Sequence, residues 1–413
     1  MPLIKPFAGL RPAPGRAADV AAPPYDVMNA AEARVMVQGR PWSFLHISRP
    51  EVDLPEGTDP YSPQVYAKAR ENLDRMLTEG VLVRDPQPRY YVYRLTMGDH
   101  IQTGLVAAAS VAAYDAERIK RHEFTRPVKE DDRVRQIDAL NAHTGPAFLV
   151  YRATPTIDEV LAGVAAAEPE VDFGAPDGVR HQLWSITDQA TIDGLTLAFE
   201  NLDALYVADG HHRSAAASRV ATARRADHPA SSGEASYDYF LSVIFPHDQM
   251  RIRDYNRLVK DLHGNTPDAL IAHLSVPFAI EGSPGPVRPE HPGQFGLYLA
   301  GHWYRLELDP VRIPYDDPVA RLDVSLLQDN VIEPLLGIVD PRRDDRIDFV
   351  GGIRGLEALS ARVDSGEMAA AFSLYPTRME DLMAVADSGE VMPPKSTWFE
   401  PKLADGLVSH VLD

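Results

Sequence analysis

Residues 205–218 read Leu-Tyr-Val-Ala-Asp-Gly-His-His-Arg-Ser-Ala-Ala-Ala-Ser, and this stretch constrains the fold of the chain most tightly. The four apolar residues from Leu205 to Ala208 suit a short buried strand. Gly210 permits a sharp turn that a side chain would oppose. The small residues after Arg213 let a helix pack close to its sheet. Strand, tight turn and helix are the local unit of an α/β fold. The same unit makes an anion site, because free backbone N–H groups and the helix dipole face a negative ligand. With the helix N-terminus placed at Ser214, the side chains of His211, His212 and Arg213 suit phosphate oxygens. Asp209 can hold a metal ion or accept a hydroxyl proton. In a chain with 14 histidines, a His-His pair at a turn is also compatible with plain solvation or with capping the sheet.

Strand and helix patterns alternate elsewhere too, which predicts a mixed α/β fold. Strands are expected at 42–47, 90–97, 101–108, 147–151, 182–186 and 240–245, with the second and third forming a hairpin around Gly98-Asp99. Helices are expected at 30–37, 62–79, 157–167 and 188–199, from a charged segment through residue 142, and from the Asp209 loop to about residue 226. The polar stretch 227–236 reads as a mobile loop. After His247 the texture changes. A helix at 269–274, a hairpin at 295–308 turning at Gly301, and a long helix at 319–336 precede an alternating pattern: strand 348–351, helix 355–363, strand 370–374, helix 377–386. The expected organisation is an α/β region at 1–115, a catalytic core at 116–247 and a further α/β domain at 248–413. At 413 residues the chain has the length of two or three domains of about 150 residues.

Composition narrows the chemistry. There is no cysteine, so disulfides, thiolate metal sites and cysteine nucleophiles are excluded. The formal net charge of −19 opposes nucleic-acid binding, which depends on cations neutralising phosphates. A local cationic pocket for a small anion remains compatible with it. No apolar run reaches the roughly 20 residues of a membrane span, and the first residues lack a signal-peptide core. A cytoplasmic protein with no membrane or nucleic-acid partner is the expectation.

Three further clusters carry chemistry-bearing residues. Arg121-His122-Glu123-Phe124-Thr125 is followed by Lys129, Asp132 and Arg133. His122-Glu123 begins like a zinc-protease helix, but Arg126 stands where that motif needs its second histidine, and Pro127 opposes a continuous helix there. Glu123 instead suits a catalytic carboxylate in a strand-to-helix loop beside phosphate-binding cations; a solvated, ion-paired loop is the competing reading. Lys395-Ser396-Thr397 offers an ammonium and two hydroxyls to phosphate, without the glycine-rich lead of a P-loop; a tail strand docked on the core explains it equally. Pro23-Pro24-Tyr25-Asp26 offers Asp26 as a site carboxylate or is simply a turn. Gly-x-Ser-x-Gly and Gly-x-Gly-x-x-Gly patterns are absent from the sequence.

The segment Asp209-Gly210-His211-His212-Arg213 resembles the Asp-Gly-His-His-Arg motif of free serine kinases built on the ParB/sulfiredoxin-like fold. Those enzymes also carry a catalytic Glu in a Pro-His-Glu-like context, matched here by His122-Glu123, with Arg121 in place of the proline. More broadly, the chain resembles domain-of-unknown-function family 1015. The segments that carry this are 22–27, His122 to Thr125, Lys129 to Arg133, Asp209 to Arg213, and 392–397.

The resemblance implies a ParB/sulfiredoxin-like core with an added C-terminal α/β domain, and an ATP- or ADP-dependent, Mg²⁺-requiring kinase of a small hydroxyl compound, free L-serine first among acceptors. Glu123 is then the base and Asp209 the Mg²⁺ ligand or hydroxyl-orienting group. Gly210, His211, His212, Arg213 and Ser214 hold the phosphates. His122 and Thr125 flank them, Arg121, Lys129 and Arg133 close over the γ-phosphate, and Lys395, Ser396 and Thr397 complete the pocket. The alternative is a ParB-like nucleotide-binding switch without kinase activity, which salt-dependent retention on DNA would reveal.

Overall fold

The computed structural model describes residues 1–227 and 234–413. The loop expected at 227–236 falls, over 228–233, outside the described residues. The chain divides into two compact units, 1–250 with 401–413, and 251–400. Both are mixed assemblies of helix and sheet, so the chain is an α/β protein.

The first unit is built on a nine-stranded sheet. Its order is Ile119–Lys120, Leu205–Asp209, Ala147–Tyr151, Tyr239–Pro246, His100–Ser110, Tyr90–Met97, Arg180–Ile186 and Val171–Gly174, with Ile4–Lys5 also pairing the His100–Ser110 strand. Segments 1–115 and 116–247 share this sheet, since His100–Ser110 pairs antiparallel with Tyr239–Pro246. Two pairings are parallel: Leu205–Asp209 with Ile119–Lys120, and Tyr239–Pro246 with Ala147–Tyr151. The central strands are buried on both faces, which explains their nearly unbroken apolar runs. Leu149, Val207, Ile244 and Phe199 lie in its core. The His211–Asp227 helix turns Ala216, Ala217, Val220 and Ala221 into the same core; side chains this small are what close helix-to-sheet approach requires. A smaller sheet, Leu82–Arg84, Gly9–Pro12, Ser409–Val411 and Ala142–His143, brings the C-terminal segment back into this unit.

The second unit carries a six-stranded sheet ordered Phe278–Ser283, His302–Leu308, Gln294–Leu299, Ala370–Leu374, Tyr255–Val259 and Ile347–Gly351. All of its pairings are antiparallel. Arg251–Arg253 and Trp398–Glu400 form a separate ribbon.

Two expected elements are corrected. The strand at 42–47 is instead a turn leading into the short helix Leu45–Ser48. Phe44, Leu45 and Ile47 are all buried, and a short run buried on every side has no periodicity that separates strand from helix. The continuous helix at 319–336 is instead a short α-helix, Asp323–Leu327, followed by a π-helical turn, Gln328–Ile332. Pro334 lacks the N–H that would continue the ladder, and Glu333 N–H donates to Gln328 O in the wider π pattern.

Candidate functional site

The parallel pair of strands in the first unit creates the site. Leu205 lies opposite Ile119 and Tyr206 opposite Lys120, so both chains leave the sheet side by side at the same edge. One continues into His122 and Glu123, the other into Asp209, Gly210 and His211. A register shift between Val207 and Asp209 bends the second strand against Ala147–Tyr151, as bulges do beside functional loops. Gly210 then turns with φ +92°, and a Cβ there would stand 3.2 Å from Ala147 Cα. Backbone conformation and space both call for glycine.

The helix begins at His211, one turn earlier than the expected start at Ser214. Ser214 N–H is already in the ladder, donating to Gly210 O at 3.0 Å, and its side chain is fully buried. The first N–H groups of a helix have no intrahelical acceptor, so His211, His212 and Arg213 are the residues whose backbone N–H groups lie at the anion-binding end.

Their side chains differ in role. His211 is 4% exposed and His122 2%. Their rings meet edge to face with centroids 4.5 Å apart. Glu123 is more open, with its side chain 50% exposed and Oε2 3.9 Å from His211 Nδ1. His212 Nε2 accepts from Arg126 N–H at 3.0 Å. Burial pushes the His122 imidazole down to about 4. Burial also lowers His211, with His122 adding to the effect, and lowers His212. At neutral pH these rings are uncharged donors and acceptors, not the cations that their sequence position suggests.

Positive charge comes from Arg213 and Lys402. Arg213 donates to Pro146 O at 2.8 Å, reaches Asp26 at 3.5 Å and lies over the Tyr25 ring. Lys402 Nζ is 2.8 Å from Asp209 Oδ2, while Gly210 N–H donates to Asp209 Oδ1 at 2.7 Å. Burial would raise the Asp209 carboxyl, but Lys402 and Arg213 outweigh it and hold the group well below the usual carboxylate range. Burial would likewise lower Lys402, and Asp209 reverses that.

The remaining expected residues are more scattered. Thr125 Oγ1 donates to Glu130 at 2.7 Å. Arg121 lies over Tyr114 and pairs with Glu117 at 3.5 Å. Lys129 is exposed above Tyr61. Arg133, expected to close over a phosphate, is held by Asp132 at 2.7 Å and stacked 3.8 Å from the Tyr25 ring centroid. Lys395, Ser396 and Thr397 belong to the second unit. There Lys395 lies over Tyr255, and Ser396 Oγ donates to Pro393 O at 2.6 Å.

Sequence reasoning missed Lys402 and Asp405. Both sit on the C-terminal segment that pairs with Gly9–Pro12, and no local pattern announces that return. Asp405 lines a cavity of about 30 Å³ with Tyr25, Arg133, His143 and Arg213, room for a water. Asp405 Oδ1, His143 Nε2 and Ser48 Oγ have no hydrogen-bond partner among the described residues.

Burial pushes the Asp405 carboxyl up to about 7, with Arg213 opposing and Asp26 adding to it. The folded-state pKa therefore lies above the unfolded one. The folded protein holds the extra proton between about pH 4 and pH 7, so stability falls as pH rises through that window. Asp405→Asn removes this loss. Measured by urea unfolding, the variant's stability relative to wild type is expected to grow by roughly 2–4 kcal/mol from acid to neutral pH. A difference independent of pH would contradict it.

The fold and the site thus define an α/β protein in which a strand–turn–helix, its first helical N–H groups without intrahelical acceptors, lies beside a buried histidine pair and a half-exposed glutamate. The chain belongs to the family described as "Protein of unknown function (DUF1015)", whose model matches residues 4–325. A search of curated proteins returns no match. Among solved structures, the chain is similar to a free serine kinase in complex with AMP, at 13% identity and TM-score 0.35, covering 73% of this chain and 92% of that one. It is also similar to SbnI with a C-terminal truncation from Staphylococcus aureus, at 13% identity and TM-score 0.38, covering 73% and 86%. A conserved hypothetical protein from Pyrococcus furiosus shows 14% identity and TM-score 0.33, covering 73% and 94%. No helix among the described residues is long and apolar enough to cross a membrane.

Proposed function

We propose that this protein is a nucleotide-dependent kinase that phosphorylates the hydroxyl of a small metabolite, with free L-serine the leading acceptor and ATP or ADP the donor. The observation that carries the reading is the convergence of two strand ends. One supplies an open carboxylate, Glu123. The other supplies a glycine turn and a helix N-terminus at His211.

Glu123 accepts the proton of the acceptor hydroxyl as its oxygen forms a bond to the terminal phosphorus. The bond from that phosphorus to the bridging oxygen breaks, and the shortened nucleotide leaves. The proton on Glu123 returns to solvent through its exposed side. The backbone N–H groups of His211, His212 and Arg213 bind the phosphate oxygens, and Arg213 adds fixed charge near them. Phosphoryl transfer needs little more than positioning and charge neutralisation of this kind. Lys402 keeps Asp209 ionised.

Mg²⁺ takes oxygen donors, commonly one or two carboxylates together with substrate phosphates. Asp209, now paired with Lys402, fits that requirement and would be the protein ligand. When bound, the ion neutralises charge on the donor phosphates.

Calorimetric titration with ATP and with ADP tests the phosphate loop. One nucleotide is expected to bind the wild-type chain. Binding is expected to weaken in Gly210→Ala, where a side chain at φ +92° meets Ala147. Absence of binding by either nucleotide would overturn the reading.

A further inference from the structure

We infer that His122, Glu123 and His211 form a binding site for one divalent transition-metal ion of the Zn²⁺ or Co²⁺ class, distinct from the Mg²⁺ carried with a nucleotide. One potential ligand atom from each of the three lies within 4.8 Å of the others. An ion with nitrogen and oxygen ligands at about 2.0–2.2 Å holds those atoms roughly 3–3.5 Å apart. A change of rotamer at the half-exposed Glu123 side chain supplies the remaining approach. His122 and His211 are fixed by burial and by their edge-to-face contact.

The second observation is the state of the ring nitrogens. His122 Nδ1, His122 Nε2 and His211 Nε2 are buried and make no hydrogen bond of good geometry among the described residues, although the Val207 backbone interacts with the His122 ring. Leaving a buried polar group unsatisfied is costly, and native proteins seldom bear several such groups in one place. One nitrogen from each ring, brought together beside a carboxylate, finds a common explanation in an ion.

The donor set chooses the ion. Two imidazoles and a carboxylate suit Zn²⁺, Co²⁺ and Fe²⁺, whereas Mg²⁺ prefers oxygen alone. A three-residue set leaves coordination positions open, and the exposed side of Glu123 is where water or a ligand enters. A further consequence rests on the kinase reading. An ion coordinated by Glu123 engages the carboxylate that takes the hydroxyl proton, so these metals inhibit phosphoryl transfer. The binding itself does not depend on that reading.

The test is titration of the metal-free, full-length protein with Co²⁺ alone, without nucleotide, following its visible d–d absorption and the heat of binding. One Co²⁺ per chain is expected, and it is not displaced by excess Mg²⁺. His122→Ala and His211→Ala are each expected to weaken binding at least as much as loss of an outer partner does, about 10–100-fold. Circular dichroism checks that they remain folded. Glu123→Ala makes the same test at an exposed position, and His291→Ala, at an exposed histidine of the second unit, is expected to bind Co²⁺ as wild type does. Absence of stoichiometric Co²⁺ binding, or binding that survives Glu123→Ala and both histidine changes, would overturn the site. Co²⁺ binding in a protein that transfers no phosphate would leave the site standing and remove only its inhibitory consequence.

Discussion

Glu123→Gln is expected to lower phosphoryl transfer by about 10²–10⁴-fold, the usual contribution of a positioned general base, while nucleotide affinity stays nearly intact. The amide keeps the size of the side chain and removes its basicity. The side chain is half exposed, so the substitution leaves the core untouched. The proposed nucleotide contacts are the backbone N–H groups at the helix N-terminus at His211, and the Glu123 carboxylate is not among them. Steady-state rates with isothermal titration of nucleotide separate the two effects. Equal losses of rate and affinity would mean that Glu123 binds the nucleotide and is not the base.

Arg213→Ala is expected to produce the largest loss of stability. The guanidinium lies over Tyr25 with its side chain 12% exposed, donates to Pro146 O and faces both Asp26 and Asp405. Burial alone would lower its pKa, but Asp26 and Asp405 hold the charge in place. Removing one partner of a buried charge cluster typically costs about 3–5 kcal/mol, because the others remain uncompensated. The expected loss at neutral pH is about 3 kcal/mol, near the low end of that range, since Asp405 already titrates near 7 and can take up a proton. The loss grows at higher pH, where that proton becomes costly to hold. Thermal or urea unfolding of the nucleotide-free protein reads it directly. An unchanged midpoint would show that the cluster contributes nothing to the fold.

Some of this architecture was legible in the residues and some was not. The strands Tyr90–Met97, Ala147–Tyr151 and Ala370–Leu374 fall where their apolar runs and bounding turns place them. Glycine at 210 marked the turn, and small residues after it marked the helix that closes on the sheet. Where burial is complete, periodicity disappears, and the segment around Phe44 then looks like a strand although it is helical. Proline at 334 was visible, but its effect on the preceding helix depends on which carbonyls remain to be satisfied.

In the site, the Asp209 loop could be read locally because a turn and its helix are contiguous in sequence. The meeting of His122 with His211 depends on a parallel pairing between distant strands, which no spacing encodes. The ion pair of Asp209 with Lys402 depends on a C-terminal segment that returns to the first unit. Cationic residues near Glu123 were legible as a charge run, yet Arg133 is occupied by Asp132 and Tyr25. Charge in sequence does not reveal which partner has already claimed it.

In the proposed reaction this loop and Glu123 transfer a phosphoryl group to a small alcohol. Its most direct test is mass spectrometry of reactions containing the purified full-length protein, Mg²⁺, ATP or ADP, and a panel of free amino acids and small alcohols led by L-serine. A phosphorylated acceptor is expected, O-phosphoserine first among them, that disappears in both Asp209→Asn and Glu123→Gln. Nucleotide bound by the wild-type protein with no phosphorylated product from any acceptor would contradict it.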